Sequence, residues 1–239
     1  LQDKLNEHHF WKQSNQLVQS RKIWEVLREK KKDFSCANLF WWFNMHSSVD
    51  HSITPRPLYR ADGFKSFDVH TQPMHLREEI KADLGDFPFH GFWGPKAGIT
   101  SSTWIAESAK WTEEKHSPDL SLVYLPHLDY DLQRLGPNDP NIPKALNEID
   151  QVVGELISFY EKRGIRLIIL SEYGITEVKN VIYPNRVFRD KGWLSIKDEL
   201  GLEYLDCGGS KAFTITDHQV AHVYLQDESP SFRKEVRNC

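Results

Sequence analysis

Hydrophobic positions come in short blocks whose spacing changes along the chain. Ile23, Trp24 and Leu27 recur at helical spacing ahead of the charged run at 28–32, which predicts a helix there. Residues 37–43, ANLFWWF, are apolar and aromatic without alternation, as in a strand buried on both faces of a parallel sheet. From Asn44 to Gly98 the periodicity is weak apart from a helical stretch at Leu76–Leu84; this part, rich in Pro, His, Asp and aromatics, reads as loops laid over the sheet. TSSTWIAESAKWTEEK then opens on hydroxyl residues able to cap a helix, with Trp104, Ile105, Ala109 and Trp111 as its apolar surface.

The most orderly pattern follows. DLSLVYLP predicts a strand, HLDYDLQRLGPNDPN a loop, and PKALNEIDQVVGELISFYEKRG a helix in which Leu146, Ile149, Val153, Leu156 and Tyr160 recur, with Pro143 near its start and Gly164 past its end. RLIILSEYG predicts a second buried strand, and strand–helix–strand in this order implies a right-handed crossover in a parallel sheet. NRVFRDKGWL then predicts a short helix ending at Gly192, and KAFTI and VAHVYL two short strands. The fold expected is α/β: a doubly wound, mainly parallel sheet with helices on both faces. It is expected to form a single domain over 1–239, with 44–98 as a loop-rich insertion and 175–215 as a small cap-like segment.

Composition narrows the function classes. A hydrophobic content of 39% supports a sizeable core, and a formal charge of −4 with a pI near 6.3 gives no overall basic field to draw in a nucleic-acid polymer or an anionic membrane. No apolar run approaches the roughly 20 residues of a membrane span. Cys36, Cys207 and Cys239 fit neither a disulfide framework nor a zinc knuckle, so a reducing, cytoplasmic setting is expected. The first residue is Leu1, and a native polypeptide longer at both ends is expected.

In open α/β sheets ligands bind at the carboxyl ends of strands. After LVYLP stand His127, Asp129, Asp131 and Gln133; after LIILS stand Ser171, Glu172 and Tyr173. Carboxylates converging from two parallel strands repel unless a cation or proton lies between them, and a divalent ion meets that need. The competing reading, that these residues cap a helix and solvate a loop, is equally compatible with the spacing. His218 and His222 fall four apart in a strand-like context, where they would share one face as substrate contacts or serve an ordinary edge strand. Asn44 and Arg56 follow the aromatic run and are further candidate substrate contacts, Arg56 for a phosphate; Trp41, Trp42 and Phe43 offer either a shelf for a planar group or core packing.

The string YLPHLDYDLQRLGP, followed by LIILSEYG, resembles the paired motifs of the type I phosphodiesterase and nucleotide pyrophosphatase branch of the alkaline phosphatase superfamily. Tyr124, Asp129, Gly136 and Pro137 fall on the first motif, Ser171 and Gly174 on the second, and RKIWEVLREKKKDFSCANLFWWFN is similar to the family's stretch in which a Pro-Ile-Trp helix leads into a Phe-Trp-Pro strand. The resemblance implies an alkaline phosphatase-like fold, incomplete here at both ends, and a metal-ligand role for Asp129, with Glu172 at the family's Asp position. Gln133 and Tyr173 stand where the family has two His ligands, so oxygen-only ligation is expected: two divalent ions per complete site, drawn from manganese, magnesium and zinc, with the harder metals favoured.

The implied substrate is a small phosphorylated molecule, a nucleotide among the candidates. The implied reaction is hydrolysis of a phosphodiester or pyrophosphate bond by a hydroxyl nucleophile outside this chain, which leaves the stretch alone inactive. A phosphomonoesterase or phosphomutase of the same superfamily, or a non-catalytic descendant that binds a phosphorylated ligand, are the alternatives.

Overall fold

A computed structural model describes residues 13–59, 62, 64–217 and 219–239. They fall into two compact units, 13–178 and 179–239.

In the first unit, helix α1 (Ile23–Lys30) buries Trp24 and leads into β1 (Cys36–Leu39), whose four residues are all buried. β2 (His51–Tyr59) and β3 (Lys65–Gln72) follow, then α2 (Leu76–Leu84), the long α3 (Ile99–His116), and β4 (Leu120–Val123). α4 (His127–Leu135) and α5 (Ile142–Glu161) close the unit. The sheet order is β3-β2-β1-β4. β1 runs parallel to both β2 (Ala37 opposite His51) and β4 (Cys36 opposite Leu120), while β3 is antiparallel to β2. A mixed, mainly parallel sheet with helices around it is the α/β architecture that the pattern predicts.

Alternation along the strands sorts the two faces. Leu39, Ile53 and Val69 join Ile80, Trp104, Ile105, Ala109, Ile149, Leu156 and Tyr160 in the main core, whereas Cys36 packs with Trp24, Val49, Leu120 and Leu122 beneath α1. Each buried face removes apolar surface from water at about 25 cal/mol per Å², which is why a helix of weak intrinsic propensity such as α3, with Thr, Ser and Trp inside it, holds its place.

Several expectations are corrected. Residues 44–98 are not loops over the sheet: they supply β2, β3 and α2, because His51–Gln72 pairs along its length as a hairpin despite containing Pro55 and Pro57. Those prolines lie beyond Ile53, the last β2 residue paired with β1, where β2 has only β3 beside it and a missing N–H on the open side is tolerated. The predicted strand at 37–43 stops at Leu39, since Phe40, Phe43 and His46 adopt positive φ (63°, 52° and 57°) and turn the chain back towards β2. Trp41 and Phe43 are consequently left about 40% exposed rather than packed. The loop expected at 127–141 is largely helix α4, whose Leu128 packs on the core. Leu146 lies off the buried face of α5, which is carried by Ile142, Ala145, Ile149, Val152, Leu156 and Tyr160. RLIILSEYG forms no strand: among the described residues nothing pairs with it, and Ile168, Ile169 and Leu170 stand exposed.

The second unit contains α6 (Pro184–Asp190), a hairpin of β5 (Ser195–Glu199) and β6 (Leu202–Asp206), a hairpin of β7 (Ala212–Asp217) and β8 (Val220–Leu225), and α7 (Pro230–Arg237). Phe188, Trp193 and Ala212 form its core with Leu225, Phe232 and Val236. Asn185 ties α6 to β7 through both ends of its amide, donating to the Thr214 carbonyl at 2.9 Å and accepting the Thr214 N–H at 2.7 Å. The cap-like role expected for 175–215 remains a proposal.

Candidate functional site

β4 ends at Val123, and three residues later α4 begins, so Asp129 sits in the first turn of a helix at the carboxyl rim of the sheet. A carboxylate there lies at the positive end of the helix dipole. Gln133 is one helical turn further along the same face and is exposed. The other polar residues of this stretch point elsewhere. His127 is buried, its Nε2 3.2 Å from Glu148 Oε2 on α5 at an angle that makes no hydrogen bond, and Asp131 pairs with Arg134.

The second group arrives from the far end of α5. After the extended residues 165–170, Ser171 Oγ donates to the Tyr173 carbonyl at 2.7 Å and fixes a tight bend. The Tyr173 hydroxyl donates to Asp129 Oδ1, joining segments 44 residues apart in sequence. A second strand end was expected beside that of β4; no strand forms there, and this side-chain bond is what joins the two segments.

Electrostatics place Glu172 in the same group. Burial raises the Tyr124 phenol above its ordinary range, and the charges of Glu172 and Asp129 raise it further, so both carboxylates bear on one hydroxyl. Burial and Asp129 push Tyr130 up to about 12. Tyr173 rises too, first through partial burial and then because its proton is engaged by Asp129. All three phenols keep their protons at neutral pH. Trp42, from the loop after β1, has its ring tilted 58° to that of Tyr124 with centroids 6.0 Å apart and donates its indole N–H to that phenol.

Sequence reasoning named Asp129, Glu172 and Tyr173 as candidates; it did not name Tyr130, and it gave Trp42 another part. The available signal was the recurrence of aromatics beside each polar strand end.

Of the remaining candidates, Asn44 and Arg56 make other contacts within the first unit. Asn44 is fully buried and gives its amide hydrogens to the Asn38 and Ile53 carbonyls at 2.8 and 3.2 Å, holding the loop onto β1 and β2. Arg56, on β2, contacts Met45 Sδ at 3.0 Å. His222 is exposed on β8 in the second unit, and His218 lies outside the described residues.

The donor chemistry was compared with what a divalent ion needs. Asp129 and Glu172 offer carboxylate oxygens and Gln133 an amide oxygen, an all-oxygen set that suits a hard cation. Among the described residues no group of three or more His, Cys, Asp and Glu is arranged to hold a metal. The group thus fits part of a coordination shell. Among those residues, too, no helix is long and apolar enough to cross a membrane.

Comparison with known proteins bears on the same residues. The model of the family "type I phosphodiesterase / nucleotide pyrophosphatase" matches residues 1–236. The chain belongs to this family. It is also similar to an uncharacterized pyrophosphatase/phosphodiesterase of Schizosaccharomyces pombe, 35% identical over 81 residues that make up 31% of this chain and 17% of that protein. The chain thus spans well under two thirds of that relative's length. No solved structure matches.

Proposed function

We propose that this chain is the part of a metal-dependent hydrolase of phosphodiester or pyrophosphate bonds that carries one carboxylate pair, with the hydroxyl nucleophile supplied from outside residues 1–239. The observation that carries the reading is the hydrogen bond from the Tyr173 hydroxyl to Asp129 Oδ1, which ties the segment bearing Glu172 to the carboxyl rim in a chain of this family. Two carboxylates drawn towards one rim, Asp129 half-buried and Glu172 exposed, repel one another and are stabilised by a cation.

Asp129 and Glu172 would hold a divalent ion, manganese or magnesium before zinc, with Gln133 as a neutral oxygen donor. Such an ion supplies Lewis-acid stabilisation of the oxygens on phosphorus during in-line displacement. The chain's own residues do the rest of what is assigned to it. The protonated phenols of Tyr124 and Tyr130 present hydroxyls, not charges, to an anionic substrate. Trp42 and Tyr124 form an aromatic wall against which a planar leaving group can rest. The substrate class is a small phosphorylated molecule.

The test uses the full-length protein with bis-nitrophenyl phosphate, nitrophenyl phosphate and the nitrophenyl ester of thymidine monophosphate, before and after chelation and with manganese or magnesium restored. Turnover of the diesters that requires the metal, and falls by about 100-fold or more in Asp129→Asn and Glu172→Gln, is expected. Preference for the monoester would move the assignment to a phosphomonoesterase. Metal-independent turnover, or wild-type activity in both variants, would exclude the proposal.

A further inference from the structure

We propose that Tyr173 is a positioning residue for Asp129: its hydroxyl holds Oδ1 and leaves Oδ2 as the oxygen offered to a divalent cation. This rests on the reading of the rim as a metal-dependent site, and it changes the expectation drawn from sequence, in which Tyr173 was itself a ligand.

The phenol is a donor to Asp129 Oδ1, and a hydroxyl whose proton points at a carboxylate cannot at the same time offer a deprotonated oxygen to a metal. Among the described residues no hydrogen bond reaches Asp129 Oδ2. Asp129 could otherwise rotate about its terminal torsion, which is broad and roughly two-fold, so an unheld carboxylate would spread its two oxygens over several orientations. A charge-assisted hydrogen bond to one oxygen removes most of that freedom.

The donor is itself restrained: the Ser171 hydroxyl bonds the Tyr173 carbonyl at 2.7 Å, and the ring lies among Tyr124, Asp129 and Glu172, all of which act on it. Partners of this kind behind a metal ligand are worth roughly 10- to 100-fold in metal affinity. The same bond sets where Glu172, the preceding residue, arrives relative to Asp129. Tyr173 thus aligns both carboxylates through a single hydroxyl.

The experiment measures Mn²⁺ binding to the metal-free full-length protein, by the electron paramagnetic resonance signal of free Mn²⁺ and by calorimetry in buffers of different ionisation enthalpy. Wild type, Tyr173→Phe, Tyr173→His and Asp129→Asn are compared. Since the Tyr173 ring is half exposed, Tyr173→Phe should melt within about 2 °C of wild type in the metal-free state.

The expected result is a 10- to 100-fold weaker Mn²⁺ affinity in Tyr173→Phe, partial recovery in Tyr173→His through its ring N–H, and the same number of protons released on binding in wild type and Tyr173→Phe. Wild-type affinity in Tyr173→Phe would overturn the proposal. So would one proton fewer released by that variant, which is the signature of a phenolate ligand, or a loss of affinity matched by a comparable fall in metal-free melting temperature. Failure of the wild type to bind Mn²⁺ at all would instead remove the metal-dependent reading on which this one depends.

Discussion

Phe40 joins the core to the rim and makes a sharp test of both. Its ring is 1% exposed and packs against Phe87, Phe92 and Trp104 with centroids 4.9, 5.9 and 5.9 Å away. Removing a buried Phe ring to Ala costs about 3–5 kcal/mol. Here the upper half of that range is expected, because each aromatic pairing adds about 0.5–1.5 kcal/mol beyond burial.

The backbone adds a second, opposite effect. Phe40 has φ 63°, a left-handed conformation that costs a residue with a Cβ roughly 1–2 kcal/mol and costs glycine nothing. At an ordinary position Gly is about 0.5–1 kcal/mol worse than Ala; here the two effects reverse the order. Phe40→Gly should be as stable as Phe40→Ala or up to about 1 kcal/mol more stable, and Phe40→Leu, which keeps apolar bulk, should lose least.

Urea unfolding followed by tryptophan fluorescence, with the slope checked for constancy, reads all three. Because Trp42 lies two residues on and donates to Tyr124, the same variants should disturb the carboxylate rim. A cost below about 1.5 kcal/mol for Phe40→Ala would refute the core assignment, and Phe40→Gly falling clearly below Phe40→Ala would refute the left-handed turn.

Other outcomes follow from the same coordinates. The stacked rings of His51 and His116, 4.0 Å apart, are both held below the ordinary imidazole range, first by burial; the unfolded chain therefore takes up more protons as pH falls below about 6.5, and stability is lost in that direction. Urea midpoints at pH 7.5 and 5.5 should differ less in a His51→Phe/His116→Phe variant than in wild type. Asp68 is pushed up by burial and more than offset by Arg77 and Lys81, so its carboxyl lies low; Asp68→Asn should cost about 1–3 kcal/mol at neutral pH and flatten the acid limb of a melting-temperature profile. Ile169→Lys, on the exposed extended segment, should reduce light scattering on concentration while moving the melting temperature by no more than about 2 °C.

How far the sequence could be read depended on where the information for each element resides. α2, α3 and α5 were legible because a helix closes its own hydrogen bonds and needs only an apolar stripe; Leu76–Leu84 is found to the residue. β2 and β3 were not legible, since Pro55 and Pro57 and a run of His, Asp and Thr speak against strands, and only the pairing of Thr54 with His70 and Arg56 with Asp68 defines them. α4 was missed because HLDYDLQRL is polar on the outside and has just Leu128 to anchor it. At the rim, residue types and the family resemblance made Asp129, Glu172 and Tyr173 candidates. They could not indicate that Tyr173 would donate to Asp129, because that depends on the bend Ser171 makes.

The fate of RLIILSEYG shows why strand propensity and strand formation are separate quantities. A helix satisfies its backbone from within, but an extended apolar segment becomes a strand only if a partner edge is within reach. β1 already pairs on both sides, with β2 and β4, and among the described residues neither of the edges left open, at β3 and β4, forms a ladder with residues 165–171. Their Ile and Leu side chains therefore signal burial that this set of partners does not provide, while Ile165 and Leu167 still pack on the core and keep the segment aligned. The functional consequence lies at its end. With no ladder to hold Glu172 beside Asp129, the alignment of the two carboxylates depends on the Tyr173 hydroxyl, so a one-atom deletion in Tyr173→Phe tests the part of the rim that the backbone does not secure.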